Sequence, residues 1–420
     1  MLGKHSMEKR HNMKYVVVLG DGMADEPMEV LGGRTPLEAA NTPNLDRISK
    51  LSEIGMVHTI PEGMKPGSDT ANLSVMGYDP RKYYTGRSPL EALSIGVPMK
   101  DTDVALRCNI VTISEEDVAF EEKVIIDHSA SEIETEECGK LLQVVAAQLA
   151  NEIYQFYVGT SYRHCLIWNQ GKVVDLTPPH DVLGSKIGQY LPEDEMLRYM
   201  MKRSHELLIN HPINIERKKK GLNPANCCWF WGAGTRPMLS SFEEKTGKKG
   251  MMVSAVDLLK GIAVGAGMGV AAVEGANGGL HTNYEGKVQA AADALLKEGY
   301  DFAYIHVEAP DEMGHQGSVE RKICAIEYLD ERVIGPIMQK LEASGEAYRL
   351  MILPDHPTPV RVRTHTADEV PYLIYDSENK GIHTWNYNEK EAALYGDRET
   401  VGYKLIDRFL QLENSYVLEA

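Results

Sequence analysis

The chain has 420 residues, 43% of them apolar, which is enough to bury large cores and to divide into two domains. Its 61 acidic against 44 basic residues leave a net charge of −17, which argues against nucleic acid or an anionic membrane as main partner and confines any phosphate site to a local basic pocket. Six cysteines without CxxC spacing, no signal sequence and no long apolar span point to the reducing cytoplasm.

Residues 1–12, polar and basic, read as a disordered leader or the product of an upstream start codon. KYVVVLG is the first strand and ends at Asp21. TPNLDRISKLSEIG is a helix with Thr42 as N-cap, Pro43 in its first turn, Gly55 at its stop and a buried stripe of Leu45, Ile48 and Leu51. PGSDTANLSVMG is a short helix with Ser68 at or near its N-cap and Gly77 at its C-terminal stop. After Gly96 the texture changes: RCNIVTIS, KVIIDHS, QFYVGTSYRHCLIW and KVVDL read as strands around the acidic helix SEIETEECGKLLQVVAAQLANEI, an inserted α+β domain over 105–224 that ends in the charged linker ERKKKG. From Asn223 the α/β rhythm returns with CCWFW, VSAVDLLKGIAVGAG and YDFAYIHVE, a long helix over 318–343 kinked at Gly335-Pro336, and YRLMILP. The core is therefore discontinuous, 13–104 with 225–420: an α/β fold with a mostly parallel sheet and helices on both faces. The glycines of GIAVGAGMGV lack the strand-to-helix setting of a dinucleotide loop and read as close helix packing.

Four patches carry the chemistry: Asp21, Ser68, Asp311 with His315, and Asp355 with His356. Three of them follow apolar strands, and an open α/β sheet places its ligands at that carboxyl edge. Asp311 and His315, four apart on a helix, share one face if Gly314 does not break the turn. The adjacent Asp355 and His356 can both turn inward from a loop, and His365 lies nine residues on. Each patch alone is an ordinary strand-end turn; together their carboxylates and imidazoles exceed what one cation needs and suit two of Mn²⁺, Mg²⁺ or Zn²⁺. Ser68 at a helix start is the nucleophile such cations would activate for phosphoryl transfer. Arg107 and Asn109 in RCN, with Arg163 and His164 in SYRHC, are the insert's candidates for binding carboxylate or phosphate.

DGM at 21–23, PGSDTANLSVMGYDP, KYYTGRSPLEALSIG, APDEMGH and PDHPTP resemble, in order, the blocks of the archaeal-type cofactor-independent phosphoglycerate mutases, metalloenzymes of the alkaline phosphatase superfamily. The resemblance implies an alkaline-phosphatase-like core and interconversion of 3- and 2-phosphoglycerate without 2,3-bisphosphoglycerate. It implies one cation on Asp311, His315 and His365, another on Asp21, Ser68, Asp355 and His356, and transient phosphorylation of Ser68. The insert then serves as a lid that retains glycerate and excludes water. Relatives that look like homoserine kinases carry the same metal-serine core, so transfer from a phosphate donor to an amino-acid alcohol is the alternative.

Overall fold

The computed structural model describes residues 13–412; the leader expected at 1–12 lies outside them. Its strands are β1 (Lys14–Gly20), β2 (Glu53–Val57), β3 (Val104–Ile113), β4 (Ile125–Asp127), β5 (Tyr154–Thr160), β6 (Arg163–Trp168), β7 (Cys227–Thr235), β8 (Gly250–Val253), β9 (Gly269–Val270), β10 (Phe302–Val307), β11 (Tyr348–Leu353), β12 (Val370–Asp376) and β13 (Asp397–Glu399). The chain divides into two compact units, one built from the chain up to Tyr84 and from Leu239 onward, the other being Thr85–Met238.

The first unit is an α/β sandwich around a sheet of order β13-β2-β12-β11-β1-β10-β8-β9. β1 pairs in parallel with both β10 and β11, and β10 in parallel with β8; only β12 runs against its neighbours. A run such as KYVVVLG, apolar without alternation, suits a central parallel strand because both faces are covered. Val16 and Val18 look into a cluster with Val288 and Ile337 of helices Tyr284–Leu296 and Gly335–Ser344, while Tyr15 on the other face meets Phe409 edge to face.

The kink expected at Gly335-Pro336 is a π-helical turn, Asp330–Ile334, between helices Val319–Leu329 and Gly335–Ser344. Widening the turn there accommodates a proline that cannot donate to the preceding carbonyls. Asp330 then does what Thr42 was expected to do. The Thr42 side chain makes no cap hydrogen bond, and the Asp330 carboxylate instead accepts the N–H groups of Asn44 (3.1 Å) and Leu45 (2.7 Å) at the start of helix Pro43–Ser49.

The second unit holds an antiparallel sheet in which β3 pairs with β4, β6 and β7, and β5 with β6. Helices Thr135–Leu149 and Glu195–Leu208 bury Leu141, Val145, Leu197 and Met201 against it. The unit is wider than the insert expected over 105–224. CCWFW opens β7, which belongs to this sheet and not to the core, and Gly234 on that strand packs closely on Thr85 and Pro89, which brings helix Arg87–Ser94 into the unit. KVVDL, expected as a strand, is irregular chain leading into Pro178-Pro179.

Candidate metal centre

β1, β10 and β11 are adjacent in the sheet, so the segments that leave their carboxyl ends emerge side by side. Asp21 follows β1, Asp311 lies in helix Ala309–His315 just beyond β10, and Asp355-His356 follow β11. Ser68 is the first residue of helix Ser68–Val75, with Gly67 as cap, so its hydroxyl is not spent on capping; Gly77 takes a positive φ just past the end.

Two groups form. In one, Asp311, His315 and His365 bring ligand atoms together: His315 Nε2 lies 3.2 Å from Asp311 Oδ2 and 3.1 Å from His365 Nε2, and His365 Nε2 lies 3.4 Å from Asp311 Oδ1. Gly314 does not break that helix. It is where the loop of Thr358 passes so close that a Cβ would meet its carbonyl oxygen at 2.4 Å. In the other group His356 Nε2 faces Ser68 Oγ at 3.1 Å, Asp355 Oδ2 at 3.3 Å and Asp21 Oδ1 at 3.7 Å, and Asp311 stands within the same cluster.

The protonation pattern is that of a cation site. The Thr358 hydroxyl donates to Asp311 Oδ1, so toward His356 Nδ1, 3.3 Å away, it can only accept. The proton therefore sits on Nδ1, and the lone pair of Nε2 points at two carboxylate oxygens. One of these, Asp21 Oδ1, is buried and has no hydrogen-bond partner. Such a convergence of buried acceptors is one that a cation between them would satisfy. Burial, and then the nearby Asp355 and Asp311, push the Asp21 carboxyl well above the ordinary carboxylate range. Burial acts on Asp311 in the same sense, yet His315 and His365 hold it well below that range. His315 donates Nδ1–H to the Arg363 carbonyl at 2.9 Å, and its contact with Asp311 raises its pKa to about 9. A proton thus takes the place a cation would fill. Cation binding at this group should release close to one proton at pH 7 and tighten up to about pH 9, which calorimetry in buffers of different ionisation enthalpy would measure.

A further set of side chains, absent from the sequence reading, fixes these ligands. Asn72 donates to Asp355 Oδ2 (2.9 Å) and to the Ser68 carbonyl (2.8 Å), and accepts from the Tyr304 hydroxyl (2.6 Å). Gly22 N–H donates to Asp355 Oδ1 at 3.1 Å. Gly22 has φ +60°, and a Cβ there would stand 2.5 Å from Thr358 Oγ1 and 2.7 Å from the Asp311 backbone. Gly22→Ala should cost at least about 1–2 kcal/mol from the left-handed conformation alone. Because the methyl displaces Asp311, cation affinity should fall along with Tm.

Of the insert candidates, the structure leaves one freely displayed. Arg163 opens β6, exposed, over the Tyr162 ring at 5.4 Å. Arg107 is paired with Glu91 and stacked on Trp231 at 4.4 Å. Asn109 is buried and accepts from Trp231 Nε1 at 3.2 Å. His164 is buried with Nε2 3.1 Å from Cys138 Sγ; burial lowers its pKa to about 4, and its Nδ1 accepts from Gly159 N–H. Both were expected at the substrate; alternation along β6 turns His164 to the face opposite Arg163, whereas Asn109 shares a face with Arg107 and has its side-chain oxygen taken by Trp231. Ring contacts instead join Arg107 through Trp231, His180, His128 and Tyr162 to Arg163, at separations of 4.4, 5.3, 6.1, 5.8 and 5.4 Å.

The family model for 2,3-bisphosphoglycerate-independent phosphoglycerate mutase matches residues 49–214. The mutase of that name from Methanothrix thermoacetophila is 49% identical over 87% of this chain and 91% of its own, and that from Methanosarcina barkeri 46% over 91% and 96%. The chain belongs to this family. The solved cofactor-independent phosphoglycerate mutase of Thermoplasma acidophilum superposes with a TM-score of 0.66 at 27% identity, covering 95% of this chain and 99% of that one. Among the described residues of this family member, no helix is long and apolar enough to cross a membrane.

Proposed function

We propose that this mutase interconverts 3-phosphoglycerate and 2-phosphoglycerate through a phosphoserine at Ser68, with two divalent cations, Mn²⁺ or Mg²⁺ before Zn²⁺, and without 2,3-bisphosphoglycerate. One cation would be held by Asp311, His315 and His365, the other by Asp21, Ser68, Asp355 and His356. The observation that carries the reading is the Ser68 hydroxyl hydrogen-bonded at 3.1 Å to His356 Nε2 in a cluster of carboxylates. When bound, the cations supply Lewis acidity to the phosphoryl oxygens and favour ionisation of the serine hydroxyl.

The chain's own residues do the rest. In the first turn of helix Ser68–Val75 the Thr70 N–H is taken by Asp69 Oδ1, which leaves those of Ser68 and Asp69 for an anion that approaches the hydroxyl. Asn72 fixes the turn that carries Ser68 by binding its carbonyl. Retaining glycerate between two transfers requires anion contacts that persist once phosphate has left, and the cationic and aromatic strip from Arg107 to Arg163 in the second unit is the best supplier. Within it Arg163 is the guanidinium not already paired with a carboxylate. A cytoplasmic location is supported by cysteines that are all free thiols, five of them buried.

The test offers the cation-loaded protein 3-phosphoglycerate, or ATP with homoserine, and resolves products by NMR. Formation of 2-phosphoglycerate is expected; phosphohomoserine without it would replace this reading with the kinase one. Arg163→Ala should lower mutase turnover at least tenfold while sparing slow phosphatase leakage, and unchanged turnover and KM would remove Arg163 from the substrate site.

A further inference from the structure

β10 is buried along its whole length, yet it carries two polar rings, Tyr304 and His306, two residues apart and so on one face of the sheet. Polar groups buried this deeply need partners, and both find theirs at the metal centre. Tyr304 reaches Asp355 and Ser68 through Asn72, as described above. His306 touches Asp21 directly.

The His306 hydrogen bonds can be assigned from their partners. Its Nε2 lies 2.9 Å from Asp21 Oδ2, and once Asp21 is ionised, as a cation ligand must be, that oxygen can only accept and Nε2 carries the proton. Its Nδ1 lies 3.1 Å from the Ser254 hydroxyl, which donates to it, and the Ser254 oxygen accepts from Val256 N–H at 3.0 Å. The His306 carbonyl is held by Lys287 Nζ at 2.9 Å. Ser254 follows β8, His306 lies in β10 level with Leu19 of β1, and Asp21 follows β1. Three neighbouring strands thus converge on one carboxylate oxygen. The other oxygen, Asp21 Oδ1, is left bare and directed at His356.

We propose that His306 is a positioning residue. By occupying Oδ2 it fixes the rotation of the Asp21 carboxylate, so that Asp21 offers one oxygen to the cation on the Ser68 side, and it thereby sets the affinity of that cation site and not of the one at Asp311, His315 and His365. This rests on the two-cation reading above. Outer partners that orient a ligand commonly change metal affinity by 10- to 100-fold.

The experiment titrates Mn²⁺ into cation-stripped full-length protein by calorimetry and by electron paramagnetic resonance, for wild type, His306→Leu and His306→Gln. Gln keeps an N–H within reach of Asp21. His315→Ala identifies which of the two binding steps belongs to the other group. Two steps are expected for wild type. In His306→Leu the Ser68-side step should weaken at least tenfold while the other is unchanged, which also shows that the fold is intact, and His306→Gln should recover most of the loss. Wild-type affinities in His306→Leu would overturn the assignment to His306 alone. Equal weakening of both steps without recovery in His306→Gln would overturn it in favour of a purely structural role. A wild type that binds fewer than two cations would overturn the two-cation reading and this inference with it.

Discussion

Ser68→Ala should lose turnover by roughly four to six orders of magnitude, the scale on which enzymes lose activity when a covalent nucleophile is removed. The fold should survive, because the hydroxyl caps nothing: Gly67 occupies the cap position, and alanine at the first position of helix Ser68–Val75 is a good helix former. What is lost structurally is one hydrogen bond, to His356, at a half-buried position, costing about 1 kcal/mol. Tm should therefore move little while kcat collapses. Wild-type protein quenched during turnover and digested should carry a phosphoryl group on the peptide containing Ser68, and the alanine variant should carry none. A variant that still turned over at a tenth of the wild-type rate would remove Ser68 from the reaction.

The side chains that the structure gathers into the candidate centre could be read from the chain because most of them are delivered by a local rule. An apolar run that ends in Asp, as at Leu19 to Asp21 or Leu353 to His356, places a side chain at a sheet edge whatever the remaining topology. DxxxH in a helix places two ligands on one face. The supporting residues follow no local rule. Asn72 and Asp355 are 283 positions apart, and His306 and Asp21 285, so nothing in either segment announces the pair. YDFAYIHVE reads as an ordinary core strand, and the available signal was that two polar rings at alternate positions of a fully apolar strand must each have a buried partner.

Sheet membership was illegible for a related reason. CCWFW is as apolar as any core strand, and apolarity states only that a strand is buried. What assigns it to the second unit is its ladder with β3, a pairing across more than a hundred residues. The same ladder explains Asn109, whose amide is held by Trp231 of the partner strand instead of being offered to a substrate. Thr42 failed as a cap because Asp330, distant in sequence, binds the same N–H groups with two charged oxygens, and a carboxylate outcompetes a hydroxyl.

Chelation should abolish turnover, and the cation-dependent gain in Tm should grow with pH. Among the described residues, the ion-pair partners of Asp21, Asp311 and Asp355 are imidazoles, from His306, His315, His356 and His365, and not ammonium or guanidinium groups. In the stripped protein, protons must therefore do part of the work of cations. Asp21 has a folded pKa raised well above 3.8, first by burial and then by its acidic neighbours, so the stability it contributes is fully present below about pH 4 and is lost as pH rises through that elevated value. His315, raised to about 9 from 6.5, contributes stability that is fully present below about 6.5 and is lost as pH rises through about 9. Both losses are reversed when a cation replaces the proton. At a hundredfold excess over its dissociation constant each cation adds about 2.7 kcal/mol, so two should raise Tm by roughly 6–10 °C. Calorimetric scans with Mn²⁺ and with chelator at pH 5, 7 and 8.5 should show the gap between the two curves widening at each step. A gap that was constant, or that narrowed toward alkaline pH, would mean that the carboxylates are neutralised in some way other than by exchange of protons for cations at Asp21 and His315.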